Sequence, residues 1–98
     1  MVKMKKISLR KLLELENINI IDIRDIDEFN IKHLSNSINI PSFELYNTYT
    51  LLLNKYETYY IICEKGIRSK QMVKFLKRKK YNVVYIKNGI SKLDHFDF

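Results

Sequence analysis

The amino-acid sequence predicts an α/β protein built on an open parallel sheet. Short apolar runs rich in β-branched residues recur at 19–23, 37–40, 59–62 and 82–86. Between them lie segments whose apolar residues repeat at helical spacing. The run 19–23 lacks the regular polar alternation of a strand with one face in water, as a strand buried on both faces does. Strands of this kind alternating with helices imply parallel pairing through crossovers.

Residues 4–7 suit a short edge strand. Ser8 is placed to N-cap a helix carrying Leu9, Leu12 and Leu13, with Ile18 extending the stripe until Asn17 and Asn19 interrupt it. The run 19–23 reads as a strand buried on both faces, ending in charge at Arg24 and Asp25. Asp27, Glu28, Phe29, Ile31 and Leu34 suggest a short helix, with Asp25 or Asp27 near its start. A second strand at 37–40 is stopped by Pro41. Ser42 is positioned to cap a helix through Phe43, Leu45 and Tyr46, and Leu51, Leu52 and Leu53 suggest a further turn before Tyr56. The clearest strand, 59–62, runs directly into Cys63. Met72, Val73 and Leu76 mark the buried stripe of a helix with Lys and Arg on its other face. The last strand, 82–86, closes at Asn88-Gly89, and Ile90, Leu93 and Phe96 suggest a terminal helical turn. With two glycines, one proline and no linker or repeat, residues 1–98 are expected to form one domain.

Composition narrows the class. Hydrophobic residues make up 46% and charged residues 30%, which fits a soluble globular chain. A single cysteine excludes an internal disulfide and argues for a reducing compartment. The first residues have the charge of a signal peptide, but Arg10 and Lys11 interrupt any apolar core. No apolar run approaches the ~20 residues needed to span a bilayer. The expectation is a cytoplasmic protein without a membrane partner. The formal charge of +7 is densest at Lys77-Arg78-Lys79-Lys80, where cations complement the negative end of a helix dipole. No aromatic–basic alternation accompanies it, so no nucleic-acid partner is expected.

In an open α/β sheet the ligand crevice lies beyond the carboxyl ends of the strands. Cys63, Arg24 and Asp25 fall there. A free cysteine is more often a small buried hydrophobe than a nucleophile. Cys63, however, closes a strand, precedes a glycine-containing turn and faces the start of a helix. Unpaired N–H groups at a helix N-terminus favour a thiolate over a thiol. Lys65 and Arg68 add cations, and Gly66 lets successive N–H groups point inward as an anion nest. Buried charges persist mainly when paired, so Asp22 and Arg24 are expected to hold this loop, or Glu28, rather than to bind substrate. His33 is expected to be structural and His95 to lie at the surface. No histidine–cysteine cluster suggests a metal.

Cys63-Glu64-Lys65-Gly66-Ile67-Arg68-Ser69, of form C-x-x-G-x-R-S, resembles the active-site loop of single-domain rhodanese-like sulfurtransferases. Ile21-Asp22-Ile23-Arg24, Glu28-Phe29, His33-Leu34 and Ser37-Ile38-Asn39-Ile40-Pro41 resemble that family's D-x-R, E-F, G-H-I and G-A-x-N-I-P signature. Residues 83–89 match its last strand and turn. The resemblance spans nearly the whole chain in order. It implies a rhodanese-like open parallel five-stranded sheet flanked by helices. It also implies a sulfurtransferase that moves a sulfane sulfur from a donor such as thiosulfate to a thiol or cyanide, through a Cys63 persulfide and with no separate cofactor. Glu64, Lys65, Gly66, Ile67, Arg68 and Ser69 would then form the substrate-binding loop, with Lys65 and Arg68 toward a small anionic donor. Asp22, Arg24 and Glu28 would support it. A thiol or protein acceptor and a monomeric state are expected.

The departures are Lys32 in place of a glycine, Asn36-Ser37 in place of Gly-Ala, Ile90 in place of a second glycine, and the missing tryptophans. They bear on substrate preference rather than on the sulfur. Two rival readings stand beside this one. A cysteine-dependent phosphatase or arsenate reductase would use a C-x5-R loop, whereas the spacing from Cys63 to Arg68 is C-x4-R. A non-catalytic sulfur-carrier or binding module would keep the fold without turnover.

Overall fold

The computed structural model describes residues 4–95, with Asp94 and His95 described by backbone alone. The expectations for Phe96 and for the side chain of His95 lie outside the described residues. Five strands, β1 (Lys5–Ile7), β2 (Asn19–Asp22), β3 (Ser37–Asn39), β4 (Thr58–Ile62) and β5 (Asn82–Ile86), form one sheet in the order β1-β5-β4-β2-β3. Every neighbouring pair is parallel. Four helices connect them: α1 (Leu9–Leu12), α2 (Ile26–Ile31), α3 (Ser42–Leu52) and α4 (Ile67–Arg78), and a 3-10 helix (Gly89–His95) follows β5. The expected open five-stranded α/β sheet is the observed one.

Alternation of side chains along a strand divides the core in two. From β4, Tyr59 and Ile61 join Leu45 of α3 and Met72, Val73 and Leu76 of α4. On the opposite face Ile62 packs with Leu9 and Leu12 of α1, Leu34, and Ile90 of the 3-10 helix. Ile61 and Ile62 are both 0% exposed, so the central strand is buried on both faces at its carboxyl end. This is why its sequence reads as a continuous apolar run.

The ends of the elements show where local signals were overridden. Ser8 caps α1 by accepting from the Lys11 N–H at 3.2 Å, but the helix ends after one turn and Leu13 is exposed. α2 buries no residue of its own: Ile31 is exposed, and Leu34 reaches the core only after the chain turns extended at Lys32. The segment from Ser42 is one continuous helix, not two pieces. Pro41 is its N-cap and the Ser42 side chain makes no capping bond; instead the Ser42 N–H donates to the Ile23 carbonyl at 3.0 Å, tying α3 to β2. Asp25 stands at the N-cap of α2, also without a side-chain capping bond. Among the described residues no helix is long and apolar enough to cross a membrane.

Candidate active site

Cys63 follows the last residue of β4, in phase with Tyr59 and Ile61, and is 1% exposed on the face covered by α3 and α4. The next three residues turn the chain into α4. Gly66, the N-cap of α4, has φ +89°, and a Cβ there would lie 2.9 Å from the backbone nitrogen of Asn88. Only glycine combines that left-handed angle with so close an approach. The turn aims N–H groups at the sulfur. Cys63 Sγ accepts from the Gly66 N–H at 3.2 Å and from the Ser69 N–H at 3.2 Å. The Ser69 hydroxyl lies 3.3 Å from Sγ and 3.2 Å from the Gly66 carbonyl. Two backbone donors and a hydroxyl at a helix N-terminus form a nest suited to a sulfur carrying negative charge.

A strap holds the loop from the far side. The N–H groups of Ile90 and Ser91 donate to the carbonyls of Cys63 and Glu64, both at 2.9 Å. The approach is close enough that a Cβ on Gly89, whose φ is +56°, would overlap the Cys63 carbonyl. Sequence reasoning took Asn88-Gly89 only as the turn closing the last strand. The available signal was scarcity: a chain with two glycines places each where the backbone needs it.

On the opposite face of the sheet lies a buried ion pair. Asp22 is 0% and Arg24 2% exposed. The guanidinium donates from Nε to both Asp22 carboxylate oxygens, at 3.1 and 3.2 Å, and from Nη2 to Oδ2 at 2.9 Å. Nη2 also donates to the Lys32 carbonyl at 2.6 Å, and Nη1 to Glu64 Oε1 at 3.3 Å. Burial alone would lower the Arg24 pKa. The hydrogen bond and charge of Asp22, with the charges of Glu64 and Glu28, outweigh it and hold the guanidinium above its ordinary value. Asn39 completes the arrangement, donating to the carbonyls of Asp22 and Arg24 at 3.0 and 2.9 Å.

The residues singled out from the sequence therefore separate by position. Cys63, Gly66 and Ser69 meet at the sulfur. Asp22, Arg24 and Glu64 meet beneath the loop, while Glu28 contributes charge without a hydrogen bond to Arg24. The side chains of Lys65, Ile67 and Arg68 stand exposed around the nest. His33 stacks on Phe29 with ring centroids 3.8 Å apart and its Nδ1 lies 2.7 Å from the Phe29 carbonyl. The backbone of Lys32 and the side chain of Asn39 are site-supporting groups that sequence reasoning did not identify. A cavity of about 850 Å³, lined by Leu12, Ile18, Leu34 and Leu93 among others, lies at the amino ends of β2 and β3, opposite the end that carries Cys63. Among the described residues no three His, Cys, Asp or Glu side chains gather as a metal site.

Comparison with known proteins follows the same lines. The model of the rhodanese-like domain matches residues 6–95. The chain is 34% identical over 91 residues to adenylyltransferase and sulfurtransferase uba4 of Ogataea parapolymorpha, covering 92% of this chain and 23% of that protein. It therefore spans less than a quarter of this curated relative. Among solved structures, a rhodanese-related protein from Thermoplasma volcanium superposes with a TM-score of 0.85 at 31% identity, covering 93% of this chain and 92% of that one. A rhodanese-like domain protein from Staphylococcus aureus gives 0.78 at 30% identity, covering 90% and 89%.

Proposed function

The chain belongs to the rhodanese-like family, and from that membership we propose that it is a sulfurtransferase carrying sulfane sulfur as a persulfide on Cys63. The observation that carries this reading is the sulfur itself, held at the end of β4 by the N–H groups of Gly66 and Ser69. In the first step the Cys63 thiolate attacks the outer sulfur of a donor such as thiosulfate. The Sγ–S bond forms, the bond from that sulfur to the sulfite group breaks, and sulfite leaves with the electron pair. In the second step an acceptor thiolate attacks the outer sulfur and departs as a persulfide, returning Cys63 as thiolate; cyanide would depart as thiocyanate. Two displacements replace one difficult transfer. The loop amides supply preorganised donors for the negative charge on the outer sulfur, as an oxyanion hole does for oxygen. No cofactor is needed beyond the covalent intermediate. The C-x4-R spacing favours a cradle for one sulfur over the longer loop that encloses a tetrahedral phosphate.

Intact mass spectrometry after incubation with thiosulfate tests the proposal. The expected result is a gain of one sulfur atom that cyanide removes and that Cys63→Ser never shows. No gain with thiosulfate or with a more reactive polysulfide donor would reject the reading and direct attention to aryl-phosphate and arsenate assays.

A further inference from the structure

The topology sorts the charges of this chain into two halves. Residues 65–92 contain ten Lys or Arg and no Asp or Glu, whereas residues 14–64 contain nine acidic and three basic residues. The strand order places β5 between β1 and β4, with Lys5 and Lys6 of β1 in register with Val84 and Tyr85. α4 packs over β4 and β5. The cations of α4, of the turn after β5 and of β1 thus share one half of the molecule, while α2 and the strands β2 and β3 lie in the other. The sulfur loop is the seam. Glu64 turns to Arg24 on the acidic side, and Lys65 begins the basic side.

At that seam a cleft of about 410 Å³ opens between Lys65, Lys70, Gln71, Tyr85, Lys87 and Asn88. Its wall includes Gly66, whose N–H holds the sulfur at 3.2 Å. Lys65, Lys70 and Lys87 are exposed and, among the described residues, form no ion pair. Like charges gathered without neutralisation repel one another and create a field that attracts an anionic partner. The cleft is the size of a site for a few side chains. Tyr85, partly buried against the core, is the one aromatic residue among those lining the cleft, so the cleft offers no series of rings on which successive bases could stack.

We infer that this cleft and the basic half around it dock an acidic polypeptide, the part of a protein acceptor that brings its thiol to Cys63. The inference rests on the sulfurtransferase reading and names the acceptor's chemistry. Its test uses persulfide-loaded protein and three synthetic peptides, each with one cysteine flanked by glutamate, glutamine or lysine. At low salt, transfer to the glutamate peptide is expected to run about tenfold faster than to the glutamine peptide, and high salt should remove the gain. The double variant K70E/K87E changes two side chains outside the hydrogen-bond shell of the sulfur. It is expected to load sulfur fully and to keep its rate toward the glutamine peptide, but to lose the tenfold gain. Equal rates for all three peptides, or a gain that survives the double variant, would overturn the inference. Fluorescence anisotropy with serine in place of the peptide cysteine reads docking without sulfur chemistry. Binding of the glutamate peptide, weakened in K70E/K87E, is expected even from unloaded protein, so a failure to load sulfur would count against the sulfurtransferase reading alone. A duplex oligonucleotide that binds more tightly than the glutamate peptide, through the same two lysines, would overturn the inference in favour of nucleic acid.

Discussion

Asp22 and Arg24 show most directly how single residues shape this site. A carboxylate with no exposure is tolerable because a guanidinium, itself buried, makes three hydrogen bonds to it, and the Arg24 N–H adds a fourth at 3.0 Å. The same guanidinium reaches Glu64, so the pair also positions the loop that bears Cys63. Replacing Arg24 with Met leaves Asp22 buried and unpaired, and the expected loss is about 3–5 kcal/mol in urea denaturation. Arg24→Lys keeps a charge but not the planar fork and should fall between the variant and the parent. A loss under about 1 kcal/mol for Arg24→Met would show that water reaches Asp22 and that the pair does not hold the loop. Because the Arg24 pKa is raised, its contribution to stability is complete at lower pH and is lost only as pH rises through the folded value, in strongly alkaline solution. The placement of Cys63 was legible at this scale, since it closes the strand 59–62 and precedes a glycine-containing turn. The partner of Glu64 was not, because nothing local to residue 64 points forty residues back to Arg24.

At the scale of elements, α4 and the 3-10 helix divide the work on the loop. α4 supplies donors to the sulfur, and its amphipathic pattern made it readable: Met72, Val73 and Leu76 are buried as their spacing requires. The 3-10 helix supplies the strap to the carbonyls of Cys63 and Glu64. Gly89→Ala tests the strap. A left-handed backbone costs a non-glycine residue about 1–2 kcal/mol, and the overlap with the Cys63 carbonyl adds to that. The variant should lose at least that much stability and load sulfur more slowly, by denaturation and intact mass. Unchanged loading would show that the nest keeps its shape without the strap. Ile90 stands in the terminal helical turn that its spacing with Leu93 predicts. In sequence it was a departure from a glycine pair; in the fold its side chain is 0% exposed and its N–H holds the Cys63 carbonyl. The helices α1 and α2 are shorter than their apolar spacing suggests: Leu13 and Ile31 face solvent, and Leu34 reaches the core from the segment that turns extended at Lys32.

Across the whole molecule the sheet sets both stability and charge. β4 is central, paired with β2 and β5 and covered on both faces, whereas β1 and β3 have one neighbour each. Amide hydrogen exchange should therefore be slowest in β4, close to the global unfolding limit, and fastest among the strands in β1 and β3. Equal protection in β1 and β4 would mean that the sheet opens only as a unit. The same order separates the basic from the acidic half and leaves the sulfur loop between them. Its consequence for acceptor choice is the one tested by K70E/K87E.

By itself the sequence determined the strands and helices in order and the position of the Cys63 loop, the candidate site, at the end of β4. Those signals are local: periodicity, turn chemistry and a glycine where the chain must turn are each read over a few neighbouring residues. Tertiary structure decided the placement of β1 beside β5, the return of Gly89–Ser91 onto the Cys63 loop, the bond from Arg24 to Glu64, and the gathering of Lys65, Lys70 and Lys87 around one cleft. Each of these joins segments distant in the chain, and parallel crossovers bring them together only when the two apolar faces of the sheet are buried.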